Sequence, residues 1–299
     1  MGWRMLNVDK KELAYNDRLC GDGRLGSVLL KGKGNKLTRL LTVPNLKRVA
    51  ISQSGVDKAR ALNLSSPFVA LPQELVDAIT NEVSDFGPLL SLAISCSYFW
   101  RTLLPRVREA IIANEAPWAG DRLVFVNEDA DGLPSTCSDF ELDESYTGDE
   151  SYTGYRNRIN PLYAIKTLAQ EPLAICDLSM AGYDRQLLYR LVDMLHHRKQ
   201  PGVLRNLSKR QYVLDTTLAE SKYNFCLGEA VIMRSQWAAD PSEMYGDSEW
   251  VGDRFDIRAA EYVIGEWTDK SDETVDILEK GIEMAVIYDL RNECDRAWV

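Results

Sequence analysis

The feature that constrains this 299-residue chain most is an apolar pattern over residues 71–108. Leu75, Ile79 and Val83 follow one another at intervals of four, which places them on one face of a helix. Gly87-Pro88 then separates this helix from the next. A second apolar series steps by three or four residues and consists of Leu89, Leu92, Cys96, Phe99 and Leu103. About forty residues of short helices cannot enclose a core of their own, so these faces must pack on another domain or another protein.

Composition predicts a globular protein with reduced cysteines. Apolar residues make up 45% of the chain, which is enough for a packed core. No apolar run approaches the roughly 18 residues of a membrane span, and the N-terminus lacks a secretory h-region. The six cysteines form no CxxC pair, so we expect neither disulfides nor a zinc site. We therefore expect a cytoplasmic or nuclear protein with no metal, no cofactor and no membrane partner, and the net charge of −10 argues against nucleic acid.

The charge is distributed unevenly along the chain. Residues 1–70 hold 13 Lys/Arg and 5 Asp/Glu, whereas the remainder holds 22 and 40. Because apolar runs are short in residues 1–66, we predict a basic, largely flexible extension that is dispensable for folding. The segment Gly21–Val28 fits the glycine-rich loop of protein kinases. The other kinase signatures are missing, so a flexible turn is the favoured interpretation.

Two copies of a Trp-x-Gly-Asp-Arg motif stand far apart in the second part of the chain. One covers residues 118–122 and the other covers 250–254, and each precedes a strand-like segment. Glycine suits a tight bend, the aspartate accepts backbone N–H bonds, and the arginine pairs with a carboxylate. We therefore predict structural turns with buried tryptophans, and target binding is the alternative role. The residues concerned are Trp118, Asp121, Arg122, Trp250, Asp253 and Arg254.

Other segments complete the prediction for the second part. The acidic stretch 127–154 carries nine acids and no Lys or Arg, which is typical of a solvated loop. Residues 203–214 are predicted as a β-hairpin and residues 227–233 as a strand. Helices are predicted for residues 161–168, 183–199 (which ends with the adjacent His196 and His197) and 272–285.

The order Leu-Pro-x-Glu-Leu-x-x-x-Ile, Leu-Leu-x-Leu, Cys-x-x-Phe and Leu-Leu-Pro-Arg resembles an F-box. The segments 116–122, 204–213, 227–229, 237–242 and 250–257 resemble those that follow the box in fungal F-box proteins. The resemblance implies a three-helix module that docks on the Skp-type adaptor and, through it, on the cullin of a ubiquitin ligase. The expected adaptor-binding residues are Leu71, Pro72, Leu75, Ile79, Leu89, Leu92, Cys96, Phe99 and Leu103.

Together these observations predict an α+β chain with an F-box over residues 67–114 and a β-rich domain with a few helices over 115–299. The predicted function is that of a non-enzymatic substrate receptor of an SCF-type ligase, whose second domain recruits an unknown protein target. One alternative is a ligand- or peptide-binding module in which the F-box-like helices serve only for packing. The outlier is a hydrolase based on paired carboxylates.

Overall fold

The computed structural model describes residues 3–13, 34–46, 53–83, 85–127, 130, 132–137, 202–238 and 240–297. Within these ranges the chain forms eight α-helices and eight short strands, which confirms the α+β class. The described residues divide into two compact units. The first unit contains residues up to 43, from 115 to 137 and from 202 onwards, and the second contains residues 44–114.

The helices and strands are numbered in chain order. The helices are α1 Gly34–Leu41, α2 Gln53–Leu62, α3 Gln73–Asn81, α4 Phe86–Ser95, α5 Ser97–Glu115, α6 Asp215–Glu220, α7 Leu227–Arg234 and α8 Ser271–Ala297. The strands are β1 Trp3–Asn7, β2 Glu12–Leu13, β3 Leu123–Asn127, β4 Gly202–Asn206, β5 Gln211–Leu214, β6 Gln236–Trp237, β7 Phe255–Ala259 and β8 Thr268–Asp269.

The strands of the first unit form two four-stranded sheets. The first has the order β2-β1-β3-β6, in which β1 is antiparallel to β2 and β3, and β6 is parallel to β3. The second has the order β7-β4-β5-β8, in which β4 is antiparallel to β5 and β7, and β8 is parallel to β5. The predicted hairpin over residues 203–214 is therefore confirmed.

Helices α1 and α7 pack closely against each other within the first unit. A Cβ atom added at Gly228 would collide with the backbone carbonyl of Gly34, so this contact requires glycine. The apolar side chains of both helices join those of β3 and β7 in one core. This contact brings together two segments of the unit that are almost two hundred residues apart in sequence.

The prediction of a flexible extension over residues 1–66 is wrong for its described parts. Strand β1 pairs along its whole length with β3, and Met5 and Leu37 are at most 1% exposed. A five-residue strand carries little periodicity, and its pairing partner lies more than a hundred residues away, so the sequence pattern did not reveal it. The hydrogen bonds and buried side chains of β1 nevertheless make it part of the core.

The prediction of a strand over residues 227–233 is also wrong, because these residues form helix α7. All of its side chains are buried, so the apolar run has neither a polar face nor the alternation of a half-buried strand. The cap identifies the helix start, since the Glu229 carboxylate accepts the Cys226 backbone N–H at 2.8 Å. The predicted helix over residues 272–285 is confirmed and forms part of α8.

The second unit consists of helices α2 to α5 around one apolar cluster. Residues 89–103 were predicted as a single apolar series, but Cys96 has an extended backbone that separates α4 from α5. Gly87-Pro88 lies in the first turn of α4, where the missing N–H of proline costs nothing. Helix α2 belongs to this unit, since Ala59 is buried in the same cluster.

Several predicted segments lie outside the described residues. They are the glycine-rich segment 21–28, most of the acidic stretch 127–154, and the helices predicted for residues 161–168 and 183–199. Among the described residues, no helix combines the length and apolar character needed to cross a membrane.

Candidate functional site

Helix α3 carries a stripe of exposed apolar side chains. Leu75 is 51% exposed and Ile79 is 43% exposed, and Pro72 precedes them as the exposed N-cap residue. The spacing of three and four residues places all three on one face of the helix. The adjoining side of the helix is buried and contributes Val76 to the cluster of the second unit. We define Pro72, Leu75 and Ile79 as the α3 stripe.

The other residues predicted to bind the adaptor contribute to internal packing. Leu89, Phe99 and Leu103 are at most 4% exposed. Leu71, Leu92 and Cys96 are partly buried against the same cluster. The sequence prediction therefore combined two groups of residues, because helical spacing alone does not tell a buried face from an exposed one when both are apolar.

Hydrogen bonds fix the position of α3 in its unit. The Tyr98 hydroxyl donates to Oε1 of Gln73 at 2.6 Å, near the start of the helix. The Arg106 guanidinium donates to the carbonyl oxygens of Thr80 and Val83, with 3.0 Å to the latter. Carbonyls at a helix end have no partner within the helix, so Arg106 satisfies groups that otherwise depend on water. The α3 stripe therefore lies on a helix whose two ends are fixed.

The two Trp-x-Gly-Asp-Arg motifs form equivalent turns in the first unit. Gly120 and Gly252 have positive φ angles of 88° and 73°, a conformation that side chains with a Cβ rarely adopt. Each turn leads directly into a strand, β3 or β7, and the backbones of Arg122 and Arg254 pair as an antiparallel bridge. The predicted burial of Trp118 and Trp250 is confirmed, at 3% and 0% exposure.

An asparagine holds each turn in place. It lies at the end of the strand that pairs with the strand following the turn, β1 with β3 and β4 with β7. The Asn7 amide donates to Asp121 at 2.8 Å, and the Asn206 amide donates to Asp253 at 2.7 Å. Lysines in the hairpin turns contact the same aspartates, with Lys10 at 3.2 Å from Asp121 and Lys209 at 3.0 Å from Asp253.

The tryptophan side chains repeat this relation. The Trp118 indole donates to Glu12 of β2 at 3.0 Å, and the Trp250 indole donates to Gln211 of β5 at 2.6 Å. We therefore divide the first unit into two equivalent halves. The first half comprises β1, β2, α1, the turn at residues 118–122 and β3, and the second half comprises β4, β5, α7, the turn at residues 250–254 and β7.

The two motif arginines meet at one carboxylate. Arg122 donates through Nε to Asp9 Oδ1 at 2.8 Å, and Arg254 donates through Nη1 to Asp9 Oδ2 at 2.6 Å. The predicted pairing of these arginines with carboxylates is confirmed. Burial alone raises the pKa of Asp9, but the hydrogen bonds from Arg122 and the charges of both arginines outweigh it and lower the pKa.

A second ionic cluster surrounds the fully buried side chain of Arg234. Its Nη2 contacts Glu249, lies 2.7 Å from Glu273 and lies 3.5 Å from Asp247. The guanidinium also lies over the Trp250 ring at 4.4 Å. Three converging carboxylates are a possible metal site, but here the guanidinium supplies the cation that they surround.

The pKa values of the cluster acids differ in direction. Burial raises the pKa of Asp247 in spite of Arg234. Burial also acts to raise the pKa of Glu273, but hydrogen bonds from Lys270 and Arg234 outweigh it and the pKa is lowered. The cluster therefore holds the end of α7 against the start of α8 through the contact of Arg234 with Glu273.

Two further carboxylates of the first unit, Asp256 on β7 and Glu229 on α7, are also engaged in structural contacts. Asp256 accepts a two-pronged pair from Arg205 at 2.8 and 2.7 Å and a further bond from Arg258. Glu229 caps α7, and burial raises its pKa. These contacts account for the carboxylates as fold-stabilising groups.

No family model matches this chain, and neither a curated protein nor a solved structure matches it.

Proposed function

We propose that the protein is a substrate receptor of an SCF-type ubiquitin ligase, in which the second unit docks on the Skp-type adaptor. The observation that supports this proposal is the α3 stripe. The second unit already buries its own apolar cluster, so the stripe is not needed for internal packing. Exposed apolar side chains that lie side by side on a fixed helix are typical of protein interaction sites.

The stripe is also consistent with the resemblance to the F-box. Pro72, Leu75 and Ile79 belong to the Leu-Pro-x-Glu-Leu-x-x-x-Ile segment that carries the resemblance. Leu71 is partly buried, and its carbonyl accepts a bond from Arg60 at 2.6 Å, so its main role is to fix the start of α3. In this proposal the first unit recruits the target protein and performs no chemistry.

The proposal is tested by calorimetric titration of the full chain with a purified Skp-type adaptor. Leu75→Glu with Ile79→Glu should weaken binding at least tenfold, because interface energy is concentrated in a few apolar anchors and about 1.4 kcal/mol is a factor of ten. The melting temperature should stay close to that of the wild type, because both side chains are largely exposed. Leu71→Ala with Pro72→Ala should also weaken binding.

Ile264→Glu is the matched control, since Ile264 is 79% exposed and lies in the first unit. It should bind the adaptor with wild-type affinity. A wild-type chain without affinity for the adaptor would overturn the proposal, and the helices would then serve for packing only. Equal loss of affinity in the control and the stripe variants would show that the added charge, rather than the stripe, determines binding.

A further inference from the structure

The two halves of the first unit differ at one position of their hairpin turns. Asp9 follows Asn7 by two residues, and Ser208 follows Asn206 by two residues. Asp9 Oδ2 accepts the backbone N–H of Arg122 at 3.0 Å, and Ser208 Oγ accepts the backbone N–H of Arg254 at 3.0 Å. The two side chains therefore occupy equivalent places, but only one of them is an anion.

Because Ser208 stands where the first half has Asp9, Arg254 has other hydrogen-bond partners than Arg122. In the first half, the other oxygen of Asp9 accepts the Nε–H of Arg122. Serine has no second oxygen, and within the described ranges no group accepts a hydrogen bond from Nε of Arg254. Arg254 instead extends to Asp9 and to the carbonyl of Gly120 through Nη1. Its side chain is 47% exposed, compared with 21% for Arg122.

The local charge favours an anion at this place. Six cationic and three acidic residues, a net charge of +3, lie close together in sequence or by contact here. They belong to the hairpin turns at residues 8–11 and 207–210 and to the motif pairs 121–122 and 253–254. The chain as a whole has a net charge of −10. Lys10 and Lys209 are each paired with a motif aspartate, and Arg254 is the motif arginine whose backbone contacts Ser208.

We propose that an oxyanion of the phosphate or carboxylate class binds beside Ser208, where it takes the place that the Asp9 carboxylate holds in the first half. It accepts hydrogen bonds from Nε of Arg254 and from the Ser208 hydroxyl, as charge-assisted bonds of the kind that arginine forms with such groups. A role for this site in holding an acidic or phosphorylated target segment rests on the proposed function. The binding of an oxyanion at this site does not depend on the proposed function.

The experiment is an NMR titration of the full chain with inorganic phosphate and, separately, with acetate. The wild type should show saturable shifts of the Ser208 and Arg254 amides. Arg254→Gln removes the donor, and Ser208→Asp fills the place with the protein's own carboxylate, so each should weaken phosphate binding at least tenfold. Arg258→Gln is the matched control, because Arg258 belongs to the same unit but pairs with Asp256, and it should bind as the wild type does.

A gain of binding provides the second test. Asp9→Ser gives the first half the turn of the second half, so this variant should bind two phosphate ions instead of one. Unchanged stoichiometry in Asp9→Ser would overturn the proposed equivalence. Binding that persists in Arg254→Gln and Ser208→Asp would indicate an adventitious ion only, and the absence of saturable binding by the wild type would overturn the site.

The adaptor is absent from these titrations, so this proposal and the proposed function can fail separately. Stronger binding of phosphate than of acetate would assign the site to phosphate-bearing ligands, and the reverse order would assign it to carboxylates.

Discussion

Trp118 and Trp250 occupy equivalent turns of the two halves of the first unit, but only Trp250 has a described guanidinium stacked on its ring. The backbone N–H of Trp118 donates to the carbonyl of Leu40 in α1, whereas that of Trp250 donates to the carbonyl of Arg234 in α7. A leucine at this helix end joins the core, but a buried arginine needs three carboxylates around it. The hairpin, the asparagine and the turn are therefore common to both halves, whereas the residue at the helix end differs.

The two halves also differ in what lies between helix and turn. In the second half, residues 235–249 connect α7 to its turn, and they contain β6 and two of the three acids around Arg234, Asp247 and Glu249. In the first half, residues 44–114 of the second unit stand between α1 and the turn at residue 118. The spacing between helix and turn is therefore much longer in the first half than in the second half. The repeat is therefore evident in the hydrogen bonds, whereas the sequence shows only its two Trp-x-Gly-Asp-Arg motifs.

The largest effect that distinguishes the halves is expected for the tryptophans. Trp250→Ala should lower the free energy of unfolding by about 4 kcal/mol, within the range typical of buried tryptophan truncation. Trp118→Ala should cost less, because no described guanidinium loses a ring contact there. The measurement is urea unfolding followed by circular dichroism. Equal losses in the two variants would show that the Arg234 stack adds nothing to the second half.

The contact between the halves provides the second prediction. Gly228→Ala places a Cβ against the Gly34 carbonyl, a backbone group that cannot rotate away. We expect a loss of about 3 kcal/mol, the upper end of the usual range for overpacking. Gly132→Ala is the control, because Gly132 is exposed and a Cβ there meets nothing within 4 Å, so the free energy of unfolding should change by less than about 0.5 kcal/mol. A harmless Gly228→Ala would mean that α1 and α7 can separate without cost.

The sequence predicted those elements whose pattern is local. The hairpin over residues 203–214, the start of α8 and the burial of both motif tryptophans follow from periodicity, turn residues and side-chain size. Strand β1 depends on pairing with a distant strand, and α7 is buried on all sides, so in neither case did a local pattern identify the element. The equivalence of the halves rests on single residues such as Asn7 and Asn206, too few to be recognised without the structure.

The candidate sites were predictable to a similar extent. The helical spacing of residues 75 and 79 identified a common face, but only the packing of α3 shows that this face is the exposed one. The motif arginines were expected to pair with nearby carboxylates. That both pair with Asp9, which lies in a segment predicted to be a flexible extension, required the hairpin of β1 and β2 to be known.

The smallest expected effect is the pH dependence of the Asp9 contacts. The pKa of Asp9 is lower in the folded chain than its unfolded value near 4, so its ionised form stabilises the fold above that value. As the pH falls through the folded pKa, the carboxylate is protonated and this stabilisation is lost. Asp9→Asn should therefore cost about 0.2–1 kcal/mol at pH 7, as for exposed ion pairs, and almost nothing at a pH below both values. Urea unfolding across this range measures the difference, with Ser208→Asn as the control in the second half. Because Ser208 carries no ionisable group, any cost of its replacement should be independent of pH, and a pH-dependent cost at both positions would show that Asp9 is not the group that titrates.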